Sequence, residues 1–200
     1  MFKQWSIGII LVWLLSGCQS TLMEPVQEQA LTNAANGNAQ VIFMRSAFIA
    51  QAIQASVFDV TDGTPKFIGI LSNDTKIAHE VTPGEHMFMV VGESADFLKA
   101  NVLANKTYYT IATPRMGFWK ARFSLFPVRN DATGKFEYHT KKFDGMLNDS
   151  KFVKSGPKAE KWARDNANSI NQKLKEYLPE WLEKDVNKQQ EATITITDHL

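Results

Sequence analysis

The chain has 200 residues, with 22 Lys and Arg against 21 Asp and Glu, 44% hydrophobic residues and one cysteine. This charge balance excludes a polybasic nucleic-acid binder and an acidic disordered tail. The apolar content, with 11% Phe, Trp and Tyr, is enough for a core, and a single cysteine excludes an internal disulfide framework and a multi-cysteine zinc site.

Met1-Phe2-Lys3 forms a short positive start, and Ser6 to Leu15 is a continuous apolar run without charge, followed at once by Ser16-Gly17-Cys18. A bilayer-spanning helix needs about 20 apolar residues, so this run is too short for one and has the layout of a secretory signal. Leu15-Ser16-Gly17-Cys18 resembles the lipobox of bacterial lipoproteins. The resemblance implies cleavage after residue 17, thioether lipidation of Cys18 and acylation of its new amino group. The chain would then be held to a membrane through Cys18, and several acyl chains make such anchoring effectively permanent. Gln19, where an Asp would favour retention at the inner membrane, implies by the same resemblance an outer-membrane protein facing the periplasm of a Gram-negative cell. Removing residues 1–17 takes away Lys3 and no acid, leaving 21 cations and 21 anions.

Residues 18–40 are expected to be the lipidated cysteine and a flexible tether, because Gln, Asn, Ala and Thr dominate and few large apolar residues occur. The 22 residues from Gln19 to Gln40 would span about 25 Å root-mean-square as a coil. A short helix over Glu24 to Thr32 is the alternative.

Residues 41–129 read as a small antiparallel β-sandwich. Short apolar runs begin at Val41, Ala55, Lys66, Lys76, His86, Leu98, Tyr108 and Arg122, and turn-forming residues such as Asp62-Gly63, Asn73-Asp74 and Pro83-Gly84 stand between them. Residues 130–158 are polar and expected to be a connecting loop, with room for one strand at Lys135 to Thr140. Residues 159–200 carry an apolar stripe that includes Trp162, Ile170, Leu174, Tyr177 and Trp181, which predicts an amphipathic helix kinked or split at Pro179. The alternation Thr193-Ile194-Thr195-Ile196-Thr197 predicts a final strand, with helix and strand packed on the sandwich. The expected fold class is mostly β with a C-terminal α-helix, after a signal peptide and a tether.

Within the β region, Val41-Ile42-Phe43-Met44-Arg45, Phe67-Ile68-Gly69-Ile70-Leu71, Val81-Thr82-Pro83-Gly84-Glu85-His86 and Ala104-Asn105-Lys106-Thr107-Tyr108-Tyr109 occur in this order. The order resembles the PEGA-related domains of unknown function found in bacterial lipoproteins, with Asn105 where glycine is usual. It covers residues 41–129 and implies an envelope β-sandwich without an established activity.

The search for chemistry is mostly negative. Gly92-Glu93-Ser94-Ala95-Asp96 lacks the second glycine of a nucleophile elbow and sits between strands. His79 and His86 are seven apart with Pro83 between, a weak pair without a third ligand, and the oxygen ligands of a calcium loop are missing around Asp62-Gly63. The expectation is therefore a non-enzymatic protein with no cofactor, no metal and no nucleic-acid partner. The best contact candidate is the stretch Arg115, Phe118, Trp119 and Lys120, which places aromatic anchors and cations where a loop is expected. A second candidate is the helix surface of Trp162, Tyr177 and Trp181, read first as the face docked on the sheet and otherwise as a partner-binding arm. The expected function is a lipid-anchored envelope interaction or structural module with an envelope protein as partner. A small-ligand or glycan-binding lipoprotein using Phe118 and Trp119 is the alternative, and an envelope hydrolase the third.

Overall fold

The computed structural model describes residues 22–116 and 121–200. Cys18, Phe118, Trp119 and Lys120 lie outside the described residues. The chain is mostly β, with two packed sheets and helices at its C-terminal end.

The first sheet has seven strands, in the order β1 (Glu24–Pro25), β11 (Lys151–Lys154), β5 (Thr75–Val81), β2 (Ala39–Arg45), β8 (Thr107–Arg115), β9 (Arg122–Arg129) and β10 (Phe136–Glu137). The second has five: β12 (Thr193–Ile194), β7 (Ala95–Val102), β6 (Gly84–Val91), β3 (Ala55–Asp59) and β4 (Lys66–Leu71). Eight of these strands coincide with the eight apolar runs of the sequence to within a few residues. Both sheets are mixed rather than purely antiparallel. β2 runs parallel to β8, and β11, β10 and β12 each join a neighbour in parallel.

Much of the strand length is covered on both faces, which explains why runs such as β2 and β3 read as continuously apolar; β5, with Ala78 and Glu80 exposed, is an exception. Every residue of β2 is buried. Its Phe43 points between the sheets and meets Phe88 of β6 edge-on at 5.1 Å, while Ile42 and Met44 point the other way into a second core with Tyr109, Tyr138 and Phe143. Phe143 belongs to α1 (Lys141–Asp149), whose first turn is capped by the Thr140 hydroxyl accepting from the Phe143 amide at 3.2 Å. On the far side, α2 (Pro157–Asp165) and α3 (Ala167–Leu182) lie over the five-stranded sheet, with Trp162 against Phe67 and Trp181 against Phe97. The layers are thus helix, sheet, sheet and helix pair.

The sequence reading differs from this structure at four further places. Residues 22–29, expected within the flexible tether, instead run along the edge of the seven-stranded sheet, and Ala39 and Gln40 already belong to β2. Met23 is buried, β1 pairs with β11, and the Val26 amide donates to the Phe152 carbonyl at 3.0 Å. Residues 130–158, expected as loop, contain β10, α1 and β11, short elements with one or two apolar anchors each. The helix is broken at Asn166, between α2 and α3, whereas α3 continues through Pro179 to Leu182. The final strand is only two residues long, because Asp198 accepts from the Thr195 amide at 2.8 Å and bends the chain.

Asn105 has a positive φ of 59°, a backbone region that asparagine tolerates, and its side chain accepts from the Gly37 amide at 2.9 Å.

Candidate interaction surface

Because β2 and β8 are parallel and in register, with Met44 beside Ile111, the segments that follow them emerge at the same end of the sandwich. These are residues 46–54 and the β8–β9 connection. The β6–β7 turn joins them: the Glu93 amide donates to the Ala121 carbonyl at 3.2 Å. Gly92 allows this approach, since a Cβ there would lie 2.7 Å from the Ala121 carbonyl oxygen.

Two buried charges organise this end. Arg45 is fully enclosed, its guanidinium 5.1 Å from the Phe123 ring centre and donating to the Ile53 and Ala50 carbonyls at 2.5 Å. It thereby clamps the loop of residues 46–54. Its pKa is lowered to about 10, first because burial disfavours the cation, with Asp74 opposing.

Asp96, also buried, gathers three other elements. Lys184, just beyond α3, donates to it at 2.9 Å, Arg115 of β8 at 3.2 Å, and the Ser124 hydroxyl of β9 completes the set. Nearby, Arg122 pairs with Glu93 at 3.3 Å, and Lys173 of α3 donates to the Glu93 carbonyl. The carboxylate is held by cations and a hydroxyl, with no imidazole in the set to act as a base on Ser124. That arrangement fixes positions and lacks the nucleophile–base–orienter sequence of a hydrolase.

The apolar side chains at this end are turned outward. Phe48 is 94% exposed and Met116 93%, with Ile49 also exposed. Between the helices and the end of the sheet runs an open groove of about 570 Å³, lined by Ile53, Ile70, Trp162, Ile170 and Lys173 among others.

Of the sequence candidates, Arg115 is at this end and tied to Asp96, while Phe118, Trp119 and Lys120 lie outside the described residues. Trp162, Tyr177 and Trp181 all pack against the first core, Trp181 most deeply at 2% exposed and the other two partly. His79 and His86 flank Phe88 from two sides. His79 lies 3.8 Å from Asp59, and His86 shares a contact with the Thr82 carbonyl at 2.8 Å. Among the described residues no group of three or more His, Cys, Asp or Glu is placed to hold a metal ion. No helix among them is long and apolar enough to cross a membrane.

Sequence reasoning missed Asp96 and Lys184, because 88 residues separate them and neither carries a motif. It also passed over Phe48 and Ile49, although two large apolar residues in a segment between strands are a signal that could have been read. No family model matches the chain. No curated protein matches it significantly. Its functional reading therefore stands on its own residues.

Proposed function

We propose that the chain is a lipid-anchored cell-envelope protein, facing the periplasm, that acts without catalysis as an interaction module. The observation that carries this is Leu15-Ser16-Gly17-Cys18 closing an uncharged apolar run that starts after Lys3, with Cys18 the sole cysteine. The order of short motifs similar to PEGA-related lipoprotein domains agrees with it. Gln19 favours the outer membrane.

The partner surface in this reading is the loop end of the sandwich. Exposed Phe48, Ile49 and Met116 supply apolar area, and Arg115 and Arg122 surround it with cations whose geometry is set by Asp96 and Glu93. Large apolar side chains ringed by polar groups are what protein interfaces use. The partner is accordingly another envelope protein.

Two measurements test the proposal. Cys18→Ser is expected to leave the membrane fraction, and the wild-type protein to carry the mass of its acyl groups; unchanged retention of Cys18→Ser would refute the anchor. In-cell crosslinking of the wild type should capture a discrete partner that Phe48→Asp with Met116→Asp no longer captures. The same capture from the double variant would remove the loop end from the interface.

The groove supports one second reading, a small apolar ligand held against Ile53, Trp162 and Ile170. A ligand that binds the wild type and equally well a Trp162→Ala variant would dispose of it.

A further inference from the structure

We infer that the folded body lies directly against the bilayer that holds its anchor, on the face formed by β1, β11 and the start of α2. This rests on the lipoprotein reading of Cys18 and replaces the long spacer expected from the sequence with a leash of about four residues.

The chain is captured by the fold as soon as its described part begins. Met23 is buried in a notch that exists because residue 69 is glycine: a Cβ on Gly69 would lie 2.7 Å from the Met23 methyl carbon. The Met23 sulfur accepts from the Ile70 amide at 3.3 Å. Glu24 lies against Gly156 in the same way, in space that any side chain at residue 156 would need. Gln29 then bonds both backbone groups of Phe152, accepting from its amide at 2.6 Å and donating to its carbonyl at 3.1 Å. Residues 23–29 are therefore part of the sheet edge and not of a spacer.

The length of chain left over decides the distance. From Cys18 to Leu22 a fully extended backbone covers about 14 Å. The headgroup layer on one side of a bilayer takes up about 5–8 Å of that. A body tied at Leu22 cannot stand clear of the lipid surface on such a leash.

The face that meets the lipid follows from register. Glu24 is paired with Lys154 in the antiparallel β1–β11 ladder, so continuing the ladder sets Leu22 opposite Gly156, the residue that caps α2. Lys154 and Lys158 are exposed there, and cations suit phospholipid phosphates. The opposite edge of the seven-stranded sheet, at β10, is six strand spacings away, about 29 Å.

The test uses the full lipidated protein in vesicles of phosphatidylethanolamine and phosphatidylglycerol that contain a headgroup nitroxide lipid. A fluorophore is placed on Lys158→Cys, on Lys154→Cys, and on Ala132→Cys in the β9–β10 connection at the far edge. Labels at residues 154 and 158 are expected to be quenched several-fold more than the label at 132. Inserting 15 Gly and Ser residues between Ser20 and Thr21, a coil of about 20 Å root-mean-square, should bring all three labels to the same low quenching. Equal quenching at 132 and 158 in a membrane-bound protein, or quenching unchanged by the insertion, would overturn the inference while leaving the anchor intact. Thiol labelling of Cys18 itself in the unsubstituted protein would instead overturn the lipoprotein reading, since an S-alkylated cysteine does not react, and the leash with it.

Discussion

Replacing Trp181 by alanine decides whether α3 is part of the body or an arm held in reserve for a partner. The side chain is 2% exposed and lies in the same core as Ile170 and Leu174. Its ring meets Phe97 edge-on at 6.1 Å, with the Lys99 and Lys184 ammonium groups 5.3 and 5.8 Å from its centre. Truncating a buried tryptophan costs about 3–5 kcal/mol, through lost transfer energy and the cavity left behind. In a domain of this size each kcal/mol moves the melting temperature by about 2–4 °C, so Trp181→Ala should melt about 6–20 °C below its parent. The measurement is thermal and urea unfolding of the soluble Cys18→Ser background followed by far-UV circular dichroism. A fall of less than about 3 °C, with the urea slope unchanged, would show that the helix contributes little to the folded state. The ring contacts would then not hold α3 to the sheet.

Two further outcomes follow from the same structure. Arg129 and Asp198 form a mostly buried pair at 2.9 Å that stitches the C-terminal tail to β9, and Arg129 also donates to the Gln190 carbonyl at 2.7 Å; either alanine variant should cost about 3–5 kcal/mol in urea unfolding, because it leaves the partner charge buried and unpaired, and the double variant should cost clearly less than the sum. Asp59 loses affinity for its proton on folding: burial pushes its carboxyl up, but the His79 ring and the Thr61 hydrogen bonds together hold it well below the usual carboxylate range. The folded carboxyl then binds fewer protons than the unfolded one, so its contribution is complete above the unfolded value near 3.8 and is lost as pH falls below it. Asp59→Asn should accordingly be less stable than its parent at pH 7 by about 1–2 kcal/mol, with the gap closing towards pH 2; a gap independent of pH would refute the assignment.

The β-rich body was legible because its central strands are buried on both faces. Val41 to Met44 is unbroken apolar sequence since Phe43 fills the space between the sheets while Ile42 and Met44 fill the space under α1. Elements held by few apolar residues were not legible. The helix α1 buries only Phe143, and Gly145 in its middle argues locally against a helix, so nothing in its pattern announces it. Residues 22–29 look like a spacer because their docking depends on Met23 alone among large buried side chains and on backbone groups of residues 151–154, which are remote in sequence. The loop end was legible only in part. Arg115 could be picked out by its aromatic neighbours, but its orientation depends on Asp96, and the loop of residues 46–54 depends on Arg45. The first is a pairing of charge between separate strands, and the second sends a buried side chain to backbone carbonyls, which no apolar periodicity encodes.

Where the charges are buried bears on where the protein meets its partner. Where the strands are covered on both faces, the surface left for recognition is made of loop ends, strand edges and the outer faces of the helices. An apolar core alone would be the less costly way to fill such a body, since an enclosed guanidinium or carboxylate must be compensated by well-placed bonds. Arg45 and Asp96 are nevertheless enclosed at one end, where Arg45 fixes residues 46–54 through the carbonyls of Ala50 and Ile53, and Asp96 ties together the facing ends of β8 and β9 through Arg115 and Ser124. Holding a loop in one shape before binding removes part of the ordering cost that association would otherwise incur. The exposed Phe48 sits on the clamped segment of residues 46–54, and the exposed Met116 directly follows Arg115. Costly internal anchoring thus coincides at this end with Phe48 and Met116, the most exposed large apolar side chains among the described residues.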